Sequence, residues 1–216
     1  MRRFATCILA LLLPAALAVA QAHDHAHDAP AAQTGEPTGI PLPEGSMPTI
    51  PAIHLAARAD DLPTIQRLLG EGVDVNVQMT EGEDWLNGST PLMWAAREGN
   101  AATVRFLLDF GANPRIRSVN GTTALNWGAV SKIEPYEKTM MLLDAGAEVH
   151  GYRDDGTPLV AWVAGLAKDA RIMEAILERG ADLTLRMRRE RMTPLMAAAR
   201  GGNAATVPVI LARKPE

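Results

Sequence analysis

The sequence predicts an all-α chain, built as a linear stack of about five helix–turn–helix units. Three observations predict it. One heptapeptide-like segment recurs five times, an aliphatic pair follows each copy, and neighbouring copies lie 39, 33, 34 and 36 residues apart when counted between Ile53, Leu92, Leu125, Leu159 and Leu195. A period in this range marks a repeat architecture, in which each unit is one supersecondary element.

The copies can be read in order. The first is Pro51-Ala52-Ile53-His54-Leu55-Ala56-Ala57 and the second Thr90-Pro91-Leu92-Met93-Trp94-Ala95-Ala96. Thr123-Ala124-Leu125-Asn126-Trp127-Gly128-Ala129 and Thr157-Pro158-Leu159-Val160-Ala161-Trp162-Val163 follow, and Thr193-Pro194-Leu195-Met196-Ala197-Ala198-Ala199 closes the series. Leu68-Leu69, Leu107-Leu108, Leu142-Leu143 and Ile176-Leu177 come next, with Gly72, Gly111, Gly146 and Gly180 behind them; the fifth has Ile210-Leu211. Threonine is a good N-cap, and proline at the first helical position loses no hydrogen bond. Paired alanines let helices approach closely, and glycine ends a helix where φ must be positive. One such helix pair cannot bury its apolar side alone, so stacking is required and five units suffice.

These motifs resemble the ankyrin repeat family, whose units carry Thr-Pro-Leu-His-x-Ala-Ala, a glycine turn, Leu-Leu and Gly-Ala. Gly111-Ala112-Asn113, Gly146-Ala147-Glu148 and Gly180-Ala181-Asp182 match the closing part, and Gly99-Asn100 and Gly202-Asn203 match the turn between helices. The resemblance covers residues 50–216 and implies a solenoid with short β-hairpin fingers, with repeats at about 50–76, 77–117, 118–150, 151–185 and 186–216. Departures are local. The third unit has about two extra residues around Ser131–Tyr136, and the fourth two near Gly165–Asp169. Trp162 falls one place later than Trp94 and Trp127, so either the fourth helix is shifted or a wedge opens the stack.

Upstream of the repeats, Arg2 and Arg3 precede the apolar run Phe4–Ala20, interrupted by Pro14, and small residues flank Ala20 and Ala22. That layout is expected of a signal peptide over residues 1–22 rather than a membrane span. It places the chain in a bacterial periplasm or outside the cell, as a monomer with no membrane span after cleavage. Residues 23–49 are rich in Pro, Gly, Ala, Thr and acid without an apolar period, and are expected to be a disordered leader. The only cysteine, Cys7, lies in the signal segment, which excludes disulfides and thiol catalysis from the mature chain. The whole chain carries −4; without Arg2 and Arg3 the balance is 19 − 25 = −6. An acidic chain is a poor general binder of nucleic acid.

The resemblance implies a function in protein recognition, with partners docking on the fingers and the first helix of each pair. On the fingers it selects Trp85, Leu86, Asn87, Ser89, Val119, Asn120, Arg153, Asp154, Arg188, Arg189, Glu190 and Arg191, and on the first helices Arg58, Arg97, Glu98, Val130 and Arg200. The long second finger, with Trp85 and Leu86 among Glu81, Glu83 and Asp84, has the aromatic-in-polar composition of a binding hot spot. Trp94 and Trp127 are expected in the core between units, and His54 in a structural bridge between loops. His23, His25 and His27 offer a second chemistry: imidazoles near a new N-terminus suit copper, nickel or zinc. No phosphate loop, nucleophile elbow or zinc-protease helix is present in the sequence, so no enzyme is expected.

Overall fold

The computed structural model describes residues 50–80 and 86–213. Ten helices form five pairs: α1 (Ala52–Arg58) with α2 (Leu62–Gly70), α3 (Pro91–Glu98) with α4 (Ala101–Asp109), α5 (Ala124–Gly128) with α6 (Pro135–Asp144), α7 (Leu159–Leu166) with α8 (Ala170–Glu178), and α9 (Pro194–Arg200) with α10 (Val207–Ala212). The threonine caps form as the sequence dictates. The hydroxyls of Thr90, Thr123 and Thr193 accept the backbone N–H of Met93, Asn126 and Met196. Asp61, Asn100 and Asp169 cap the second helices in the same way. Each such cap is worth about 1 kcal/mol.

The pairs stack in a line. Each first helix packs on the next first helix, α1 on α3, α3 on α5, α5 on α7 and α7 on α9, and from α4 onward the second helices do the same. One continuous core runs from Ala56 to Ile210. A single column of alanines shows why. Ala57, Ala96, Ala129 and Ala164 lie six residues after their N-caps and are fully buried. Ala199, the matching residue of the last unit, is exposed, since no further unit packs on it among the described residues. Contact is close enough that Gly201, at the end of α9, touches α7 of the preceding unit: a Cβ there would collide with the Gly165 carbonyl oxygen.

The fingers are tight turns rather than strands, and the single β-bridge among the described residues joins Tyr152 and Pro158. Each turn is closed by a pair of backbone bonds, such as Ser118 N to Thr122 O at 2.9 Å with Gly121 N to Ser118 O at 2.8 Å, and Arg153 N to Thr157 O at 2.9 Å with Gly156 N to Arg153 O at 2.8 Å. Neighbouring fingers are tied in sequence by Val119 N to Asn87 O, Asp154 N to Asn120 O and Arg188 N to Gly156 O.

One detail differs from the spacing argument. In the fourth unit the first helix begins at Leu159 with Pro158 as its N-cap, so one extra residue lies before the helix instead of between the helices. This settles the position of Trp162 in favour of the shift. Its amide donates to Pro158 O, as Trp94 donates to Thr90 O and Trp127 to Thr123 O. All three tryptophans therefore hold the same helical position.

The insertion in the third unit builds a polar clasp. Lys138, on α6, is fully buried, and its ammonium donates to Gly99 O and Ser131 Oγ, both at 2.7 Å. Glu134, held at φ 43°, turns back so that its carboxylate accepts Ala101 N at 2.7 Å. Asp60, at φ 59°, accepts Asn100 N and Thr103 Oγ1, both at 2.7 Å. The turns of units one, two and three are thus joined by one network. Burial pulls the Lys138 ammonium down to about 8, with Glu134 and Asp60 opposing. No residue pattern in the sequence marks that lysine as internal.

Candidate protein-binding face

The first helices present a column of aromatic and cationic side chains to one side of the stack. Four residues after each N-cap stand Trp94, Trp127 and Trp162; seven residues after stand Arg58, Arg97 and, in the last unit, Arg200. The offset of three residues carries each arginine toward the next unit, since residues three apart share a helix face. Arg58 accordingly lies over the Trp94 ring, 5.9 Å from its centroid, and Arg97 over Trp127 at 4.7 Å.

The third unit breaks the pattern, because Val130 stands where an arginine would reach Trp162. Arg153 takes its place from the fourth finger, stacking on Trp162 at 4.4 Å and donating its Nε–H to Thr122 Oγ1 at 3.3 Å. Trp127 and Trp162 meet edge to face, centroids 6.3 Å apart. The indole N–H of Trp94 donates to Ser89 Oγ at 2.9 Å, and that of Trp162 to Asn126 O at 3.0 Å. Such cation–π contacts are worth about 0.5–2 kcal/mol each, depending on desolvation. The result is a preorganised strip from Arg58 to Trp162.

Carboxylates thread through it. Glu98 places Oε2 2.6 Å from Arg58 Nε and Oε1 3.5 Å from Arg97 Nε, and Asp155 lies 3.2 Å from Arg153 Nη1. Burial lowers the hold of Arg97 on its proton, and Glu98 works against that. Leu86, Ser89, Met93, Trp94, Arg97 and Trp127 line a shallow dent at the upstream end of the strip.

The residues chosen from the sequence divide into three groups. Arg97, Glu98 and Arg153 come together in the strip. Val119 is 56% exposed on the third finger, Asp154 is exposed on the fourth, and Arg188, Arg189 and Arg191 are exposed on the fifth, where Arg188 also stacks on Tyr152 at 4.7 Å. Leu86 and Ser89 require correction as surface residues, since both are buried. Leu86 packs with Met79, Trp94 and Ile50. Ser89 is held from two sides, its hydroxyl by Trp94 and its carbonyl by His54 Nε2 at 3.0 Å. Asn87 and Asn120 are half-buried, and their carbonyls tie the fingers together. The Asn120 side chain accepts from Ser118, Thr122 Oγ1 and Thr122 N within its own turn.

Trp85, His23, His25 and His27 lie outside the described residues. Two members of the strip were not foreseen as surface: Trp127 and Trp162 are only half-buried. The signal for Trp127 was present, since an arginine stands one turn behind it in the preceding unit.

Residues 53–153 match the model of Ankyrin repeats, three copies. This chain belongs to the ankyrin repeat family. Ankyrin repeats are protein–protein interaction modules, and the all-α stack described above is the fold of that family. Palmitoyltransferase AKR1 of Saccharomyces cerevisiae is 29% identical over 130 residues, 60% of this chain and 17% of that protein. Human Rabankyrin-5 is 30% identical over 146 residues, 64% of this chain and 12% of its own length. The mouse DNA-binding protein RFXANK is 35% identical over 80 residues, 35% of this chain and 30% of its length. The chain thus spans less than a third of each of these relatives.

Proposed function

We propose that this chain is a non-enzymatic binding module that works outside the cytoplasm, as a monomer, and holds one exported protein partner across the arginine–tryptophan strip and the adjoining fingers. The strip carries the reading. Trp127 and Trp162, half-buried beneath Arg97 and Arg153, and Arg58, which covers the buried Trp94, form a rigid surface of the residue types that dominate binding energy at interfaces. Its side chains are fixed before any partner arrives, so docking loses little rotamer entropy. Export rests on the basic and apolar segment from Arg2 to Ala20.

Affinity capture from an extract of exported host proteins tests the proposal, comparing wild type with Trp127→Ala and Val119→Glu. Loss of the same partner from both variants, with helical circular dichroism unchanged, supports it. Equal retention by both sinks it. Recovery of the chain from the exported fraction with its N-terminus near residue 21 or 23 supports the location, and full-length chain confined to the cytosol refutes it.

A further inference from the structure

We propose that the strip selects an extended acidic segment of the partner, with one carboxylate for each repeat and apolar side chains between; this rests on the protein-binding reading above. The faces of Trp94, Trp127 and Trp162 are already covered, by Arg58, Arg97 and Arg153. An indole beneath a guanidinium has no open face on which a base or sugar ring can stack. The side chains of Arg58, Arg97 and Arg153 stay partly exposed, at 44%, 22% and 18%, and a guanidinium is a planar fork matched to carboxylate.

The chain's own acids show that geometry. Glu98 spans Arg58 and Arg97, and Asp155 sits on Arg153. A guanidinium carries five N–H donors and one carboxylate takes at most two, so a second carboxylate can be accommodated. Charge around the strip favours it. Arg186, Arg188, Arg189 and Arg191 stand on the fifth finger with Glu190 as the one acid among them, in a chain whose whole balance is −4. Glu190 is paired with Arg200. Asp109, Asp144, Glu174 and Glu178 lie on second helices, whereas Glu98 and Asp155 are the acids paired within the strip.

Spacing sets the pattern of the segment. Stacked helices lie about 8–10 Å apart, and an extended chain advances about 3.3 Å per residue. A carboxylate at every third residue therefore keeps step with the repeats.

The experiment is fluorescence anisotropy of the full chain with a labelled peptide of about twelve residues repeating glutamate–leucine–glycine. The inference expects saturable binding, weakened about tenfold or more when every glutamate becomes glutamine, and weakened again between about 50 and 300 mM salt, where screening shortens. Arg153→Gln weakens it several-fold. Equal binding of the glutamine peptide overturns the inference, as does tighter binding of a single-stranded oligonucleotide of similar length. Partner capture that depends on Trp127 while the acidic peptide fails to bind overturns the acidic preference and leaves the protein-binding reading standing. Failure of both experiments removes the two together.

Discussion

Raising the pH from about 7 to about 10 should stabilise the repeat domain through Lys138, contrary to the usual weakening of proteins in alkali. The ammonium is fully buried and titrates at about 8, against 10.5 in an ordinary lysine. Below 8 both folded and unfolded chains hold the proton, and the fold bears the cost of a buried charge. Between 8 and 10.5 the unfolded chain binds more protons than the folded one, so the free energy of unfolding rises with pH. Above 10.5 the gain is complete. The difference of about 2.5 in pKa, at 1.36 kcal/mol each, amounts to about 3 kcal/mol. Urea denaturation followed by circular dichroism at several pH values measures it, with Lys138→Met as reference. The reference removes the titration while keeping an unbranched side chain one atom shorter, so other groups that titrate in alkali cancel in the comparison. Wild type should gain about 3 kcal/mol relative to Lys138→Met across that window. Parallel stability curves for the two proteins would refute a buried, charged lysine in the clasp.

Three further outcomes follow from the packing. Leu86→Ala should lower stability by about 2–4 kcal/mol, since it opens the cluster with Met79, Trp94 and Ile50; an unchanged melting temperature with lost partner binding would return Leu86 to the surface. Gly201→Ala should destabilise by more than 1 kcal/mol because of the Gly165 carbonyl, whereas Gly70→Ala, with nothing nearby and a helical backbone, should stabilise by about 0.5–1 kcal/mol; the same sign for both would contradict the stacking distances. Burial holds the His54 imidazole below its ordinary value, so it is neutral in the fold. As pH falls below about 6.5 the unfolded chain gains a proton that the fold resists, and stability drops; His54→Gln should flatten that acid limb in a thermal melt series.

Much of the fold was legible because each unit must solve the same problem. Thr-Pro caps, alanine pairs and closing glycines recur where backbone geometry demands them, so the helices could be placed from Ile53, Leu92, Leu125 and Leu195. The fourth unit escaped because Thr157-Pro158 reads as cap and first residue, while the Tyr152–Pro158 bridge makes Pro158 the cap. Lys138 escaped because burial of a lysine depends on acceptors from two different units, Gly99 and Ser131, that no local pattern brings together. The binding face was half legible. Arg97, Glu98 and Arg153 were read from their repeat positions, whereas Trp127 read as core and Trp162 as either a shifted helix or a wedge in the stack. A tryptophan at an inner helical position is covered on one side only, and its other side is filled here by an arginine from a neighbouring unit.

The central claim is that helix pairs bury their apolar sides only against their immediate neighbours. Native-state hydrogen exchange on Ile210→Ala tests it most directly, because Ile210 lies in the last helix of the core. Nearest-neighbour stacking predicts that protection falls most in α9 and α10, less in α7 and α8, and is retained in α3 and α5. An equal loss of protection in all ten helices would contradict it.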